Sequence, residues 1–178
     1  MKQLTTLALI GIAYFVAVIV TLHFLRPDLN PISRPTSEYA VGPYGFLMTT
    51  AFLSMSVASL ALVTALYKGM PHSARSRIGL MLLGVWTVGV LVAMSFPIDP
   101  EGAGQTTTGI IHRINGPLTF LSLTIGTVLV SKSFSRDKNW RPIYRSALSL
   151  SVVMLVMFII TGVNIAIHSG FEGLCQRV

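Results

Sequence analysis

Five stretches of this chain contain no Asp, Glu, Lys or Arg: Gln3 to Leu25, Tyr39 to Tyr67, Ile78 to Ile98, Ile114 to Ser131 and Ser146 to Phe171. A helix crosses the ~30 Å of hydrocarbon in a bilayer with ~20 apolar residues, within a range of about 17 to 25. Each stretch meets that length, so each predicts one transmembrane helix, over approximately 4–25, 44–67, 78–97, 110–131 and 146–168. Sustained alternation of polar and apolar residues, the mark of a membrane β-barrel, is missing from all of them. A water-soluble reading fails on composition, because 11% of the residues are charged where a soluble domain carries about 25%. The chain is therefore read as an all-α integral membrane protein, a bundle of five transmembrane helices forming a single domain over residues 1–178.

The first stretch follows Lys2, as the core of a signal peptide would. It exceeds the usual apolar core of about 7 to 15 residues, and no small-x-small cleavage site precedes Arg26, so it is read as a retained helix. The lone cysteine, Cys175, excludes an internal disulfide and supplies no metal cluster. Small residues recur where helix backbones approach in a bilayer: Ser54 and Ala58 in the second helix, Gly79, Gly84 and Gly89 in the third, Gly116 and Gly126 in the fourth. They predict helix packing and carry no functional signal.

The net charge of +7 does not predict nucleic-acid binding, because in a membrane protein the placement of Lys and Arg outweighs their sum. Lys68, Arg75 and Arg77 fall in the second loop, and Lys132, Arg136, Lys138, Arg141 and Arg145 in the fourth. Those loops are expected on the cytoplasmic side, with the N-terminus. The first loop mixes Arg26 and Arg34 with Asp28 and Glu38, and the third holds Asp99 and Glu101. Both are expected outside, in a multi-pass protein of the cell (plasma) membrane.

That orientation gathers polar residues at the outer boundary. His23 ends the first helix, Asp99 follows the third, His112 and Arg113 open the fourth, and His168 ends the fifth. His112, Asn115 and Thr119 share one helical face by their spacing of three and four, as do Thr161, Asn164 and His168. Polar side chains at membrane depth turn toward protein or water. The residues Arg34, Glu38, Asp99, His112, Arg113, Asn115, Asn164 and His168 are accordingly the candidate outer-face site. Structural pairing of Arg34 with Glu38, or of Arg113 with Asp99, is the alternative use for the same charges. Between the first two helices, Pro31, Pro35 and Pro43 restrict the backbone that carries Arg34 and Glu38, which suits a site or a lid.

Across the segments "RPDLNPISRPTSEYAVGPYG", "FPIDP", "GIIHRINGP" and "GFEGLCQRV" the chain resembles domain-of-unknown-function family 998 (DUF998), a group of polytopic membrane proteins. The most specific part is Ser37-Glu38-Tyr39 with Gly42-Pro43. The resemblance implies a helical membrane fold and puts Arg34, Glu38, Asp99 and His112 at family-like positions. Members commonly have six helices. The segment from Gly173 to Arg177 reads as the entry to a sixth, so a truncated product or a missing last helix is expected.

No Walker, Rossmann or Gly-x-Ser-x-Gly motif occurs, and the sequence declares neither an enzymatic activity nor a cofactor. The expected partner is the lipid bilayer, with a lipid or small-molecule ligand in an outward-opening cavity, or a role as accessory subunit. The alternative is a metal-dependent membrane-embedded hydrolase in which His23, His112 and His168, with Asp99, hold a metal that activates water.

Overall fold

A computed structural model describes residues 1–100, 102–167 and 170–177. Helices α1 (Lys2–Leu25), α2 (Gly45–Gly69), α3 (Arg77–Ser95), α4 (Thr107–Ser133) and α5 (Tyr144–Ala166) are joined by short connections, and a short α6 (Glu172–Arg177) follows. The five long helices are each long and apolar enough to cross a membrane. Among the described residues there is no strand. The fold is the all-helical membrane architecture that the uncharged stretches predict.

Local chemistry explains where the boundaries differ from expectation. α3 stops at Ser95 rather than residue 97, because Phe96 precedes Pro97 and a residue before proline is driven out of helical conformation. α4 starts at Thr107, three residues earlier than the apolar pattern suggests, because the Thr106 hydroxyl accepts from the Gly109 amide at 3.1 Å and caps the first turn. Ser76 does the same for α3 through the Gly79 amide at 3.2 Å. α5 ends at Ala166, and His168 lies outside the described residues. The segment expected to enter a further helix does turn helical, as α6.

Each long helix packs chiefly on its neighbours in sequence. Small residues and one or two polar contacts mark every interface, as expected where lipid removes the hydrophobic incentive to associate. Between α1 and α2 the Ser54 hydroxyl donates to the Gly11 carbonyl at 3.1 Å. Between α2 and α3 the Ser56 hydroxyl donates to the Thr87 carbonyl at 3.0 Å and the Trp86 indole to Ser59 at 2.9 Å. The Asn115 amide donates to the Gly89 carbonyl at 2.9 Å between α3 and α4, and Ser131 and Ser151 share a 2.9 Å hydrogen bond between α4 and α5. Large apolar residues cover the outward faces instead of a core: Met81 and Leu150 are each 71% exposed. In water that would be an aggregating surface; in a bilayer it is the solvated one.

Two apolar clusters close the ends of the bundle. At one end Val18, Leu22, Met48 and Ala51 surround Tyr39, which belongs to a 3₁₀ turn over Thr36–Ala40. At the other, Met70, Leu80, Leu83 and Val130 pack with Phe134, whose ring stacks on Trp140 at 5.0 Å.

Candidate functional site

α1 and α4 stand on either side of a cavity of about 400 Å³, floored by α2 and α3. α1 contributes Phe15, Ile19 and His23, each one turn from the next; α2 contributes Phe52 and Met55. Trp86, Gly89, Val90 and Ala93 come from α3, and His112, Asn115, Gly116, Thr119 and Phe120 from α4. One end is closed by Thr36 and Ser37 of the 3₁₀ turn and by Gln176 and Arg177 of α6. The walls are therefore apolar and the polar groups gather at the loop end. Val16 and Val20 of α1 line the cavity and are 54% and 50% exposed, so the cavity is open along the α1 wall, at the level where lipid would lie.

The polar end is held rigidly. His112 is 9% exposed, and its Nδ1 donates to the Phe96 carbonyl at 2.8 Å; a carbonyl only accepts, so the proton on that nitrogen is fixed and Nε2 is the ring's other polar atom. Asn115 is engaged at both ends, donating to the Gly89 carbonyl and accepting from the Thr119 hydroxyl at 3.1 Å. Pro117 withholds the amide that would bond the Arg113 carbonyl, next to Gly116, which lines the cavity. His23 meets the Tyr39 ring edge-on at 5.6 Å between centroids. α6 is docked over this end because the Arg177 Nη1 donates to the carbonyls of Pro31, Arg34 and Gly173, each at 2.8 Å, while the Thr36 amide donates to the Gln176 side chain at 2.7 Å.

The residues singled out from the sequence divide into groups. His112, Asn115 and Thr119 line the cavity as their shared face predicts. Arg34 and Glu38 pair with each other, one turn apart, at 3.5 Å. Neither is in the cavity lining, although Thr36 and Ser37 between them are. Asp99 accepts from the Thr106 amide at 3.0 Å and the Thr106 hydroxyl at 2.6 Å, so it ties the α3–α4 loop to the cap of α4, with the exposed Arg113 adding a favourable charge. Asp99 and Glu38 thus each have a partner within their own loop, and the Arg34–Glu38 pair is one that the sequence offers as a structural use of these charges. Asn164, also a candidate outer-face residue, donates its amide to the Ile160 carbonyl of its own helix at 2.9 Å; α5 packs on α4, and no α5 residue lines this cavity. Among the described residues no group of three His, Cys, Asp or Glu side chains is placed to hold a metal; His168, the remaining candidate ligand, lies outside them.

The residues that sequence reasoning passed over are Arg26, Tyr39, Trp86 and Arg177. Arg26 ends α1, is 7% exposed, and makes a two-pronged bond to Asp28 (2.9 and 2.7 Å) while donating to the carbonyls of Val41 (2.7 Å) and Pro43 (3.1 Å). Gly42, with φ of +79°, brings the loop backbone to within contact of that guanidinium.

Asp99 also gives a pH signature. The hydrogen bonds from Thr106 come first, and Arg113 adds to them, in holding its carboxyl below the ordinary carboxylate range. A carboxylate with a depressed folded value stabilises the fold above its unfolded value and loses that contribution as pH falls through the folded one. The wild-type melting temperature is thus expected to fall as pH drops below about 4, and Asp99→Asn to flatten that acid limb. Parallel acid limbs in the two proteins would show that the Asp99–Thr106 contacts contribute nothing.

A row of antiparallel membrane helices, with a laterally open apolar cavity closed at one end by a loop and a short helix, defines a polytopic α-helical membrane protein with a candidate ligand site. Residues 9–178 match the family described as "Protein of unknown function (DUF998)", and the chain belongs to that family. No curated protein and no solved structure matches it.

Proposed function

We propose that the protein binds a lipid or other small amphiphile in the cavity between α1 and α4. The observation that carries this reading is the division of the cavity: apolar walls along the helices, and His23, His112, Asn115 and Arg177 collected at the loop end. Ligand pockets of about 300 to 1,000 Å³ with a few convergent polar groups are the usual form of a small-molecule site, and the present cavity is about 400 Å³. The sideways opening supports entry from the hydrocarbon phase, so that an acyl chain need never cross water. On the distribution of Lys and Arg the chain is a single membrane-spanning unit of the cell membrane, with its N-terminus in the cytoplasm and the cavity in the outer half. No observation among the described residues favours the metal-dependent hydrolase over this reading.

Trp86 lines the cavity and Trp140 lies in the cluster at the opposite end, and these are the protein's two tryptophans. In a Trp140→Phe background, 9,10-dibromostearic acid or its methyl ester is expected to quench Trp86 saturably, and the unbrominated compound to reverse the effect. Gly116→Leu should remove the saturable component, because a Cβ at Gly116 meets nothing within 4 Å and the added side chain enters the cavity. If both probes quench only in linear proportion to their partitioning into the membrane, the cavity binds no amphiphile.

A further inference from the structure

Among the described residues, Arg177 is the only formally charged side chain in the cavity lining, and none of their carboxylates joins it there. Its Nη1 is spent on three backbone carbonyls, but Nε and Nη2 are shielded from water and, among the described residues, have no hydrogen-bond partner. The guanidinium lies 5.7 Å from the Tyr39 ring centroid, and among the described residues the Tyr39 hydroxyl is also buried without a hydrogen-bond partner. Tyr39 in turn meets His23, which lines the same end of the cavity. Unpartnered buried donors are rare, and a cationic one is costly to leave so. The two on Arg177, which lines the polar end of an apolar cavity, form a pair that an acceptor-only anion satisfies.

We infer that the amphiphile's polar end is anionic, a carboxylate or phosphate group whose oxygens take the Nε and Nη2 edge of Arg177. This rests on the amphiphile reading and narrows it to a ligand class. Nε and Nη2 form one edge of the planar guanidinium, the geometry that pairs with two oxygens of one carboxylate or phosphate. Arg177 lines the cavity and is half-buried; turning that edge toward the cavity gives up some of the Nη1 bonds to backbone carbonyls, which pairing with the anion offsets, while the apolar chain lies along Phe15, Ile19 and Phe120. The weak dielectric of such a site strengthens the attraction over its value in water.

The Trp86 quenching assay separates this inference from the reading beneath it. Wild-type protein is expected to bind 9,10-dibromostearic acid, at a pH where it is ionised in the membrane, at least about tenfold more tightly than its methyl ester, the discrimination of a charged hydrogen-bonded pair. Arg177→Gln should erase the preference by weakening the acid and sparing the ester, and Arg177→Lys should retain part of it. Equal affinity of wild type for acid and ester overturns the inference while leaving amphiphile binding intact; absence of saturable quenching by either overturns both. Because Arg177 also holds α6, Arg177→Gln counts only through its ester binding, and loss of both probes in that variant returns the decision to the wild-type ratio. Inorganic phosphate at millimolar concentration is expected to leave quenching by the acid unchanged. Displacement by phosphate alone would overturn an anion borne on an amphiphile in favour of a soluble one.

Discussion

Gly11→Leu is expected to cost the protein at least about 3 kcal/mol and to break the α1–α2 interface, whereas Gly84→Leu should leave it folded. A Cβ at Gly11 would stand 2.7 Å from the Ala58 Cβ and 3.0 Å from the Ser54 carbonyl oxygen, which are backbone and near-backbone atoms with nowhere to go. The same addition at Gly84 meets nothing within 4 Å. Both are glycines in the middle of apolar helices, so helix propensity alone would favour each replacement. Overpacking therefore decides the sign at Gly11. The consequence extends to the cavity, because pushing α1 off α2 moves Phe15, Ile19 and His23 away from the α4 wall. Thermal unfolding in detergent, followed by size-exclusion homogeneity, distinguishes the variants; equal melting of the two would show that α1 does not lie against α2 at Gly11.

Arg26→Gln is expected to lose about 2–4 kcal/mol, from buried charge-assisted hydrogen bonds worth roughly 1.5–3 kcal/mol each, partly offset by the bonds Gln can still form. The guanidinium holds the end of α1, the Val41 and Pro43 carbonyls and Asp28 in one place. Without it the 3₁₀ turn that closes the cavity loses its anchor, so ligand binding should fall together with stability. Asp28→Asn is the control. Asp28 is exposed, and a surface partner is screened by salt, so that variant should be much the milder of the two. Comparable melting of Arg26→Gln and wild type would mean that the loop is anchored by its prolines and apolar contacts alone. The two loop arginines differ in what they hold: Arg34 pairs with Glu38, side chains 29% and 12% exposed, whereas Arg26 binds the backbone carbonyls of Val41 and Pro43.

Much of the architecture was legible in the chain because a bilayer imposes one-dimensional rules. Length without charge predicts a span, and the starts and stops follow from Ser76, Thr106 and the residue before Pro97. The α4 wall of the cavity was legible too, since His112, Asn115 and Thr119 share a face by spacing alone. The α1 wall carried the same kind of signal in Phe15, Ile19 and His23, spaced by four. Its apolar members do not stand out in a helix that is apolar all round.

Partner choice was partly legible. The Arg34–Glu38 pair is one of the two that the sequence offers, and Arg113 adds its charge to Asp99 as the other suggests. The hydrogen bonds from Thr106 to Asp99 were not legible, although a contact within one loop costs less conformational entropy than one between loops. On α5, Thr161 and Asn164 are the less exposed residues of their turn, as their spacing suggests, but α5 packs on α4 away from the α1 wall, and that neighbour choice is not written in the spacing.

The sequence by itself therefore determined that this is an α-helical membrane protein, where its helices start and stop, and which face of α4 is polar, because these depend on hydropathy, spacing and capping along a single chain. Only the tertiary structure decided that α1 rather than α5 faces that polar stripe across a cavity, and that Arg177 closes its end. Those outcomes depend on which helices touch, and in lipid that is set by close-approach sites such as Gly11 against Ala58 and Gly89 against Thr119, whose fit is a property of two surfaces and not of either sequence segment alone.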